Sequence, residues 1–186
     1  MKEGDESYMT PSNLKPFFKD SCHGGMFPTA ENNFYTVYDE LFRKLDKEEE
    51  LEEEVGKHHY EAPAFGLHYA CAEDVFAFYD NWKCFSTCKS MAYADLYNPN
   101  EAPNRRVKRI IETENKKERQ REQKRFNEMV RELIEKLMEK DPRYKKFVLL
   151  REQEKAEKKR KIEEAKAAQR AEKEEELRLY REERAR

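Results

Sequence analysis

Glycine is scarce in this 186-residue chain, five in all. Loops that cradle phosphates with backbone N–H groups need glycines at fixed spacing. No such loop, nucleophile elbow or His-Glu-x-x-His pair occurs, so a nucleotide pocket is not expected. Long apolar runs are also lacking. None approaches the roughly 18–20 residues of a membrane span, and the first residues do not follow a secretory-leader pattern. The four cysteines, Cys22, Cys71, Cys84 and Cys88, are scattered; Cys84-x-x-x-Cys88 is one helical turn of thiols without a second pair at zinc-finger spacing. Outside a secretory context they read as reduced thiols of the cytosol or nucleus. His58-His59 sits beside Glu-rich sequence, and Cys22-His23 has no evident acid or base partner. The chain is expected to be no enzyme and to carry neither cofactor nor metal.

Charge and aromatic rings are what it has. Charged residues make up 42% and the AVILMFWYC set only 37%, against roughly 25% charged residues in an ordinary globular domain. A single large core is therefore excluded. Aromatics at 12% are nevertheless too many for a disordered chain. Both facts fit an all-α chain: a small aromatic-cored helical head, a long basic helix, and a helical hairpin or bundle leading into a long charged single helix. The net charge of −2 conceals a division, −11 over residues 1–103 and +9 over residues 104–186. The second half thus offers a footprint for an anionic partner.

Residues 1–33, with turn signals at Thr10-Pro11, Lys15-Pro16 and Gly24-Gly25, read as an extended arm or linker anchored by Phe17, Phe18 and Phe27. Residues 34–103 form the head. Phe34, Val37, Tyr38, Leu41, Phe42 and Leu45 fall at helical spacing, and the acidic run Glu48-Glu49-Glu50-Leu51-Glu52-Glu53-Glu54 that follows reads as a solvated loop. After a connector over residues 56–72, Asp74 offers an N-cap for a second helix using Val75, Phe78, Tyr79, Trp82 and Phe85. Residues 104–141 form the basic helix, capped by Asn104 and running to about Lys140. Asp141-Pro142 is the signature of a fresh helix start, so residues 142–186 form the charged helix, with i,i+4 pairs such as Glu157/Lys161 and Arg160/Glu164.

On a helical wheel Arg105, Lys108, Arg109, Lys116 and Arg119 share one face, and Arg106, Lys117, Arg121 and Lys124 adjoin it. Glu114, Glu118 and Glu122 gather opposite, and Val107, Ile110 and Ile111 are free to lean on the head. Further on, Phe126, Met129, Val130, Leu133, Ile134, Leu137 and Met138 form an apolar stripe expected to meet Tyr144, Phe147, Val148 and Leu150 in a hairpin. A solubilising face would mix the two signs. Segregated cations suit a phosphate backbone, rewarding each Lys or Arg through counterion release without reading sequence, as in recognition of double-stranded RNA.

Several motifs then occur in a fixed order: Phe34-Tyr35-Thr36-Val37-Tyr38, Phe78-Tyr79-x-x-Trp82-x-x-Phe85, and Ala102-Pro103-x-Arg105-Arg106-x-Lys108-Arg109. Glu114-Asn115-Lys116-Lys117-x-Arg119, Asn127-Glu128-x-Val130-Arg131-x-Leu133 and Asp141-Pro142-Arg143 follow. Through these, residues from about 30 to 150 resemble the zuotin-homology region of ribosome-associated J-domain co-chaperones, in particular its cytoplasmic branch in large-subunit maturation. The resemblance implies docking on the large ribosomal subunit near the tunnel exit, through ribosomal RNA and ribosomal protein. A J domain would then stimulate a heat-shock-70 chaperone to release export and assembly factors from the pre-60S particle. It implies a cytoplasmic location, with passage through the nucleus or nucleolus, and no membrane partner. The His-Pro-Asp tripeptide of a J domain and the family's zinc finger occur nowhere in this sequence. The chain itself is therefore expected not to stimulate an ATPase, and residues 1–33 to follow a J domain outside it. Met91-Ala92-Tyr93 departs from the larger aromatics of the family, which bears on local packing only.

The RNA-facing residues expected are Arg105, Arg106, Lys108, Arg109, Lys116, Lys117, Arg119, Arg121 and Lys124. The rival reading is a structural coiled-coil scaffold that binds other proteins through its long helices; residues 151–176 disfavour it by lacking an apolar heptad. An acidic histone-type chaperone using the Glu48 to Glu54 run is a third.

Overall fold

The computed structural model describes residues 8–27, 29–52 and 61–185. Among them every regular element is helical, as expected: α1 (Pro11–Leu14), α2 (Phe34–Glu52), α3 (Ala72–Lys83), α4 (Arg105–Lys140) and α5 (Pro142–Arg184). Short 3-10 turns stand at Lys15–Phe18, Asp20–Cys22, Ala92–Ala94 and Pro99–Glu101. The chain divides into two compact units, one ending at Tyr144 and the other beginning at Lys145.

The first unit is built on rings. Period-3.6 spacing puts Phe34, Tyr38, Leu41, Phe42 and Leu45 on one buried face of α2, and Val75, Phe78, Tyr79 and Trp82 on one buried face of α3. The faces meet edge-on: the Phe42 ring lies 4.9 Å from Phe78 and 4.7 Å from Trp82. Each buried aromatic contributes about 1.5–3 kcal/mol by leaving water, and edge-to-face pairing adds about 0.5–1.5 kcal/mol. Between the helices sits Phe65, 1% exposed, with rings of Phe34 and Phe78 at 5.7 and 5.0 Å. It lies in the connector, where no periodicity marks it as core.

The start of α3 differs from the expectation. Its N-cap is Cys71, whose Sγ accepts the Asp74 N–H at 3.5 Å. Asp74 instead lies inside the first turn, where a carboxylate complements the positive end of the helix dipole. Phe85 lies past the helix end yet stacks on Trp82, with centroids 5.2 Å apart.

The N-terminal segment is folded rather than extended. Thr10 caps α1 and Pro11 supplies its first residue, the Thr-Pro pair being a helix start. Met9 and Leu14 are 4% and 0% exposed, whereas the expected anchor Phe27 is 77% exposed. α1 and the turn after it pack on α4, tied down where Lys136 and Lys140 donate to the Phe18 carbonyl and the Asp20 carboxylate.

The acidic run is the largest departure. α2 continues through it to Glu52, and Glu48 and Glu49 are each only 8% exposed. Glu48 accepts the Met9 N–H at 3.0 Å and pairs with the Lys89 ammonium. Lys89 is itself 1% exposed, its Nζ 4.7 Å from the ring centroids of both Tyr8 and Phe126. Glu49 accepts the Cys88 N–H at 2.7 Å and the Thr87 hydroxyl. Buried carboxylates persist when such donors replace water. Glu53, Glu54 and His58-His59 lie outside the described residues.

The apolar stripe of α4 has cover within the first unit. Phe126, Val130, Leu133, Ile134 and Leu137 are buried, and within the first unit α1, the Lys15–Phe18 turn and α3 pack on α4. Leu150, an expected hairpin partner, is 44% exposed. The folded N-terminal segment thus covers part of the stripe from within the first unit.

At the foot of α4, Asp141 closes one helix and Pro142 opens the next. Asp141 is fully buried and accepts the Tyr79 hydroxyl at 2.8 Å, the Arg143 N–H at 2.8 Å and the Arg143 guanidinium. The same guanidinium donates to the carbonyls of Phe65, Gly66 and Leu67 and lies over the Tyr35 and Phe65 rings at 4.7 and 4.5 Å. Gly66 turns the chain there at φ 71°, a conformation that favours glycine.

In the second unit the α5 side chains from 151 to its end are all exposed. Of the expected i,i+4 pairs, Glu157–Lys161 forms at 2.7 Å and Arg160–Glu164 at 3.4 Å. Such pairs hold a solvated helix at about 0.2–0.5 kcal/mol each.

Candidate nucleic-acid interface

The site is the upstream half of α4, and its placement begins with a cap. The Asn104 Oδ1 accepts the Val107 N–H at 2.9 Å, starting the helix one residue before Arg105. The first turn carries no acidic residue. Arg105, Arg106, Lys108 and Arg109 are crowded instead at the positive end of the helix dipole, where cations oppose folding. A local choice that works against the fold is a mark of function, and the same dipole adds to the attraction for an anion.

Eight of the nine expected cations are exposed, and Arg119 is half-buried. Three exposed ones lean on surface neighbours: Lys117 on Glu114 at 2.8 Å, Lys124 on Glu128 at 3.7 Å, and Arg121 on Glu118. Exposed pairs of this kind are worth about 0–1 kcal/mol and release easily. Arg105, Arg106, Lys108, Arg109 and Lys116 have no ion pair among the described residues. Glu112 shares their flank, one turn from both Lys108 and Lys116, and pairs with neither.

Arg119 is placed differently. Its Nε and Nη2 grip both oxygens of Asp95, and this carboxylate holds the guanidinium's charge more firmly than usual. It is turned toward the segment between α3 and α4.

It is one rung of a series. Asn115, Arg119, Gln123, Asn127 and Arg131 stand at every fourth position of α4, nearly one above the other, and each bonds to that segment. Asn115, 2% exposed, accepts from the N–H groups of Leu96 and Tyr97 at 3.1 and 3.2 Å and donates to the Tyr97 carbonyl at 2.7 Å. Gln123 donates to the Thr87 carbonyl at 3.1 Å, and Asn127 accepts the Thr87 N–H at 2.8 Å. Arg131 donates twice to the Phe85 carbonyl, at 2.9 and 2.7 Å. The segment therefore runs up α4 from Phe85 to Tyr97, opposite in direction to the helix.

The ladder runs from Asn115 to Arg131; Arg105, Arg106, Lys108 and Arg109 stand upstream of its first rung and Lys116 beside it, all exposed. Val107 and Ile111 are half-buried, with the turns Ala92–Ala94 and Pro99–Glu101 packed on the helix. Ile110, expected to lean on the head, is 55% exposed. Sequence reasoning singled out Arg119 alone of the ladder as a site residue; Asn115, Asn127 and Arg131 entered only within the family motifs, and Gln123 not at all. Their i+4 spacing was the available signal.

Among the described residues no group of three His, Cys, Asp or Glu side chains is arranged to hold a metal ion. None of the four cysteines is disulfide-bonded. No described helix is long and apolar enough to cross a membrane.

Residues 33–145, the span of the aromatic head and the basic helix, match the zuotin-like, zuotin homology domain, and the chain belongs to that family. The chain is similar to human DnaJ homolog subfamily C member 21, 36% identical over 110 residues, covering 56% of this chain and 20% of that protein. The Bos taurus protein of the same name is 34% identical over 107 residues, covering 56% of the chain and 20% of the relative. The Danio rerio protein is 34% identical over 98 residues, covering 52% and 18%. The matches thus span about a fifth of the relatives' length.

Proposed function

We propose that this chain is a non-catalytic docking module of a J-domain co-chaperone that binds the large ribosomal subunit or its pre-60S precursor through ribosomal RNA. One observation carries the reading. Five cations in the upstream half of α4, Arg105, Arg106, Lys108, Arg109 and Lys116, are exposed and in no ion pair among the described residues. Cations held at fixed spacing on a rigid helix suit phosphates, and each one engaged adds about 0.7–0.9 to the salt dependence of binding. Lys117, Arg121 and Lys124 extend the row once their surface pairs open, and Arg119 serves indirectly by holding the 91–98 segment in place.

The family resemblance supports the finer statement: docking near the tunnel exit on rRNA and ribosomal protein, so that a heat-shock-70 chaperone recruited by a J domain outside this sequence releases export or assembly factors. A cytoplasmic location with nuclear or nucleolar passage follows from the same reading.

The test is co-sedimentation with purified large subunits at graded salt. The variant combining Arg105→Glu, Arg109→Glu and Lys116→Glu is expected to lose binding while keeping its helical signal. Undiminished binding removes the proposal. Concentration-dependent self-association without RNA, unaffected by the reversals, points to the scaffold reading instead.

A further inference from the structure

The ladder immobilises a segment that turns three large side chains outward near its end. Tyr93, Leu96 and Tyr97 are 49%, 60% and 56% exposed, within five residues. Tyr93 is engaged, its ring 6.1 Å from Tyr8 and its hydroxyl 3.4 Å from Glu122. Leu96 and the Tyr97 ring have no such partner among the described residues. Yet the backbone beneath them is firmly held. Asn115 spends both ends of its amide on the Leu96 N–H and on the Tyr97 N–H and carbonyl, while Arg119 clamps the preceding Asp95.

Presenting apolar side chains to water on an ordered loop opposes the hydrophobic effect. Order set in advance is useful when something binds there, because the cost of freezing the loop has already been met. Electrostatics indicate what binds. Asp95 is neutralised by Arg119, and Glu101 is bonded by the Asn98 amide at 2.9 Å. Lys116, next to Asn115, is exposed and uncommitted. An open aromatic ring on a loop bonded to Asn115, one residue from the exposed Lys116, suits a nucleic acid with an unstacked base, since every base has a face that stacks on an aromatic side chain.

We infer that Tyr97, with Leu96 beside it, is a stacking platform for an unpaired base of the RNA whose phosphates meet the cationic flank of α4. The inference rests on the docking reading and deepens it. A cation row alone treats duplex as a charged rod, whereas the platform selects a loop, bulge or end.

Filter binding of the full chain to two RNAs tests it: a hairpin with a loop of unpaired adenines, and a blunt duplex of the same stem. The wild-type chain is expected to prefer the hairpin. Tyr97→Ala should lower hairpin affinity about tenfold, within the range for losing one stacked base, and leave duplex affinity unchanged. Tyr97→Phe, which keeps the ring, should retain the preference. Because Tyr97 is exposed, an unchanged melting temperature should accompany both substitutions. If Tyr97→Ala leaves hairpin affinity unaltered, the platform is refuted. If it weakens co-sedimentation with large subunits but not hairpin binding, the ring meets protein and the inference is equally refuted. A wild-type chain that binds neither RNA removes the underlying docking reading instead.

Discussion

Arg119 and Asp95 form a two-pronged ion pair across 24 residues of sequence, between the basic helix and the loop that precedes it. The pair divides the cations of α4 into two kinds. Those that build the molecule bond to that loop as rungs of the ladder, and those still free for a partner are exposed, most of them upstream of its first rung.

That division predicts opposite effects on stability and binding at the start of α4. Arg105→Glu with Arg106→Glu places carboxylates where the dipole favours them, and should stabilise the helix by about 0.3–1 kcal/mol per site. The same change should cut affinity for large subunits severely. Thermal melts beside co-sedimentation read both; a fall in melting temperature contradicts the argument.

Asn115→Ala removes three hydrogen bonds and strands the Leu96 and Tyr97 backbone groups. A loss of about 1–3 kcal/mol is expected, measurable by urea denaturation, together with faster amide exchange at Leu96 and Tyr97. Lys116→Ala, the neighbouring change on the open flank, should cost under about 0.5 kcal/mol.

Lys89→Met should cost about 3–5 kcal/mol, because it abandons the Glu48 carboxylate in a site closed to water. Adding Glu48→Gln should recover part of that loss, since the amide oxygen can still accept the Met9 N–H. If the double variant is no more stable than the single, the ammonium contributes through its two ring contacts rather than the ion pair.

His23 supplies a pH dependence. Its ring packs edge-on against Phe34 at 5.3 Å, and its Nδ1 accepts the Gly25 N–H at 3.1 Å, an arrangement that uses the neutral imidazole. Burial pushes its pKa below the ordinary 6.5, with Lys140 acting in the same direction and Asp20 opposing. The unfolded chain then takes up a proton that the folded chain resists. The contribution is complete above about pH 6.5 and declines as the pH falls through that value toward the depressed folded pKa. Between pH 7.5 and 5.5 the wild-type melting temperature should drop further than that of His23→Gln; equal drops exclude the mechanism.

Much of the fold was legible because periodicity and capping are local. Phe34 to Leu45, the Asn104 cap and the Asp141-Pro142 junction are found where the pattern put them. What escaped depends on partners distant in sequence. Glu48 and Glu49 look solvated until Met9, Thr87, Cys88 and Lys89 supply donors about 40 residues away. Phe65 sits in a connector with Pro63 and Gly66, and only the folded head makes it a centre. In the site, the wheel gathered the cations but could not distinguish Arg119 from Arg109, since both are arginines on the same arc. The difference is Asp95, brought alongside by the ladder.

The ladder also makes α4 intolerant of any change in length. One residue inserted between Asn115 and Arg131 would rotate everything upstream by about 100° and advance it by about 1.5 Å, breaking every bond above the insertion and swinging the free cations off their bearing. The helix behaves as a keyed shaft: its teeth engage the loop, and so fix the compass heading of the charges upstream. Shortening or lengthening is cheap past Tyr144, where no such teeth are cut, and ruinous along the toothed stretch.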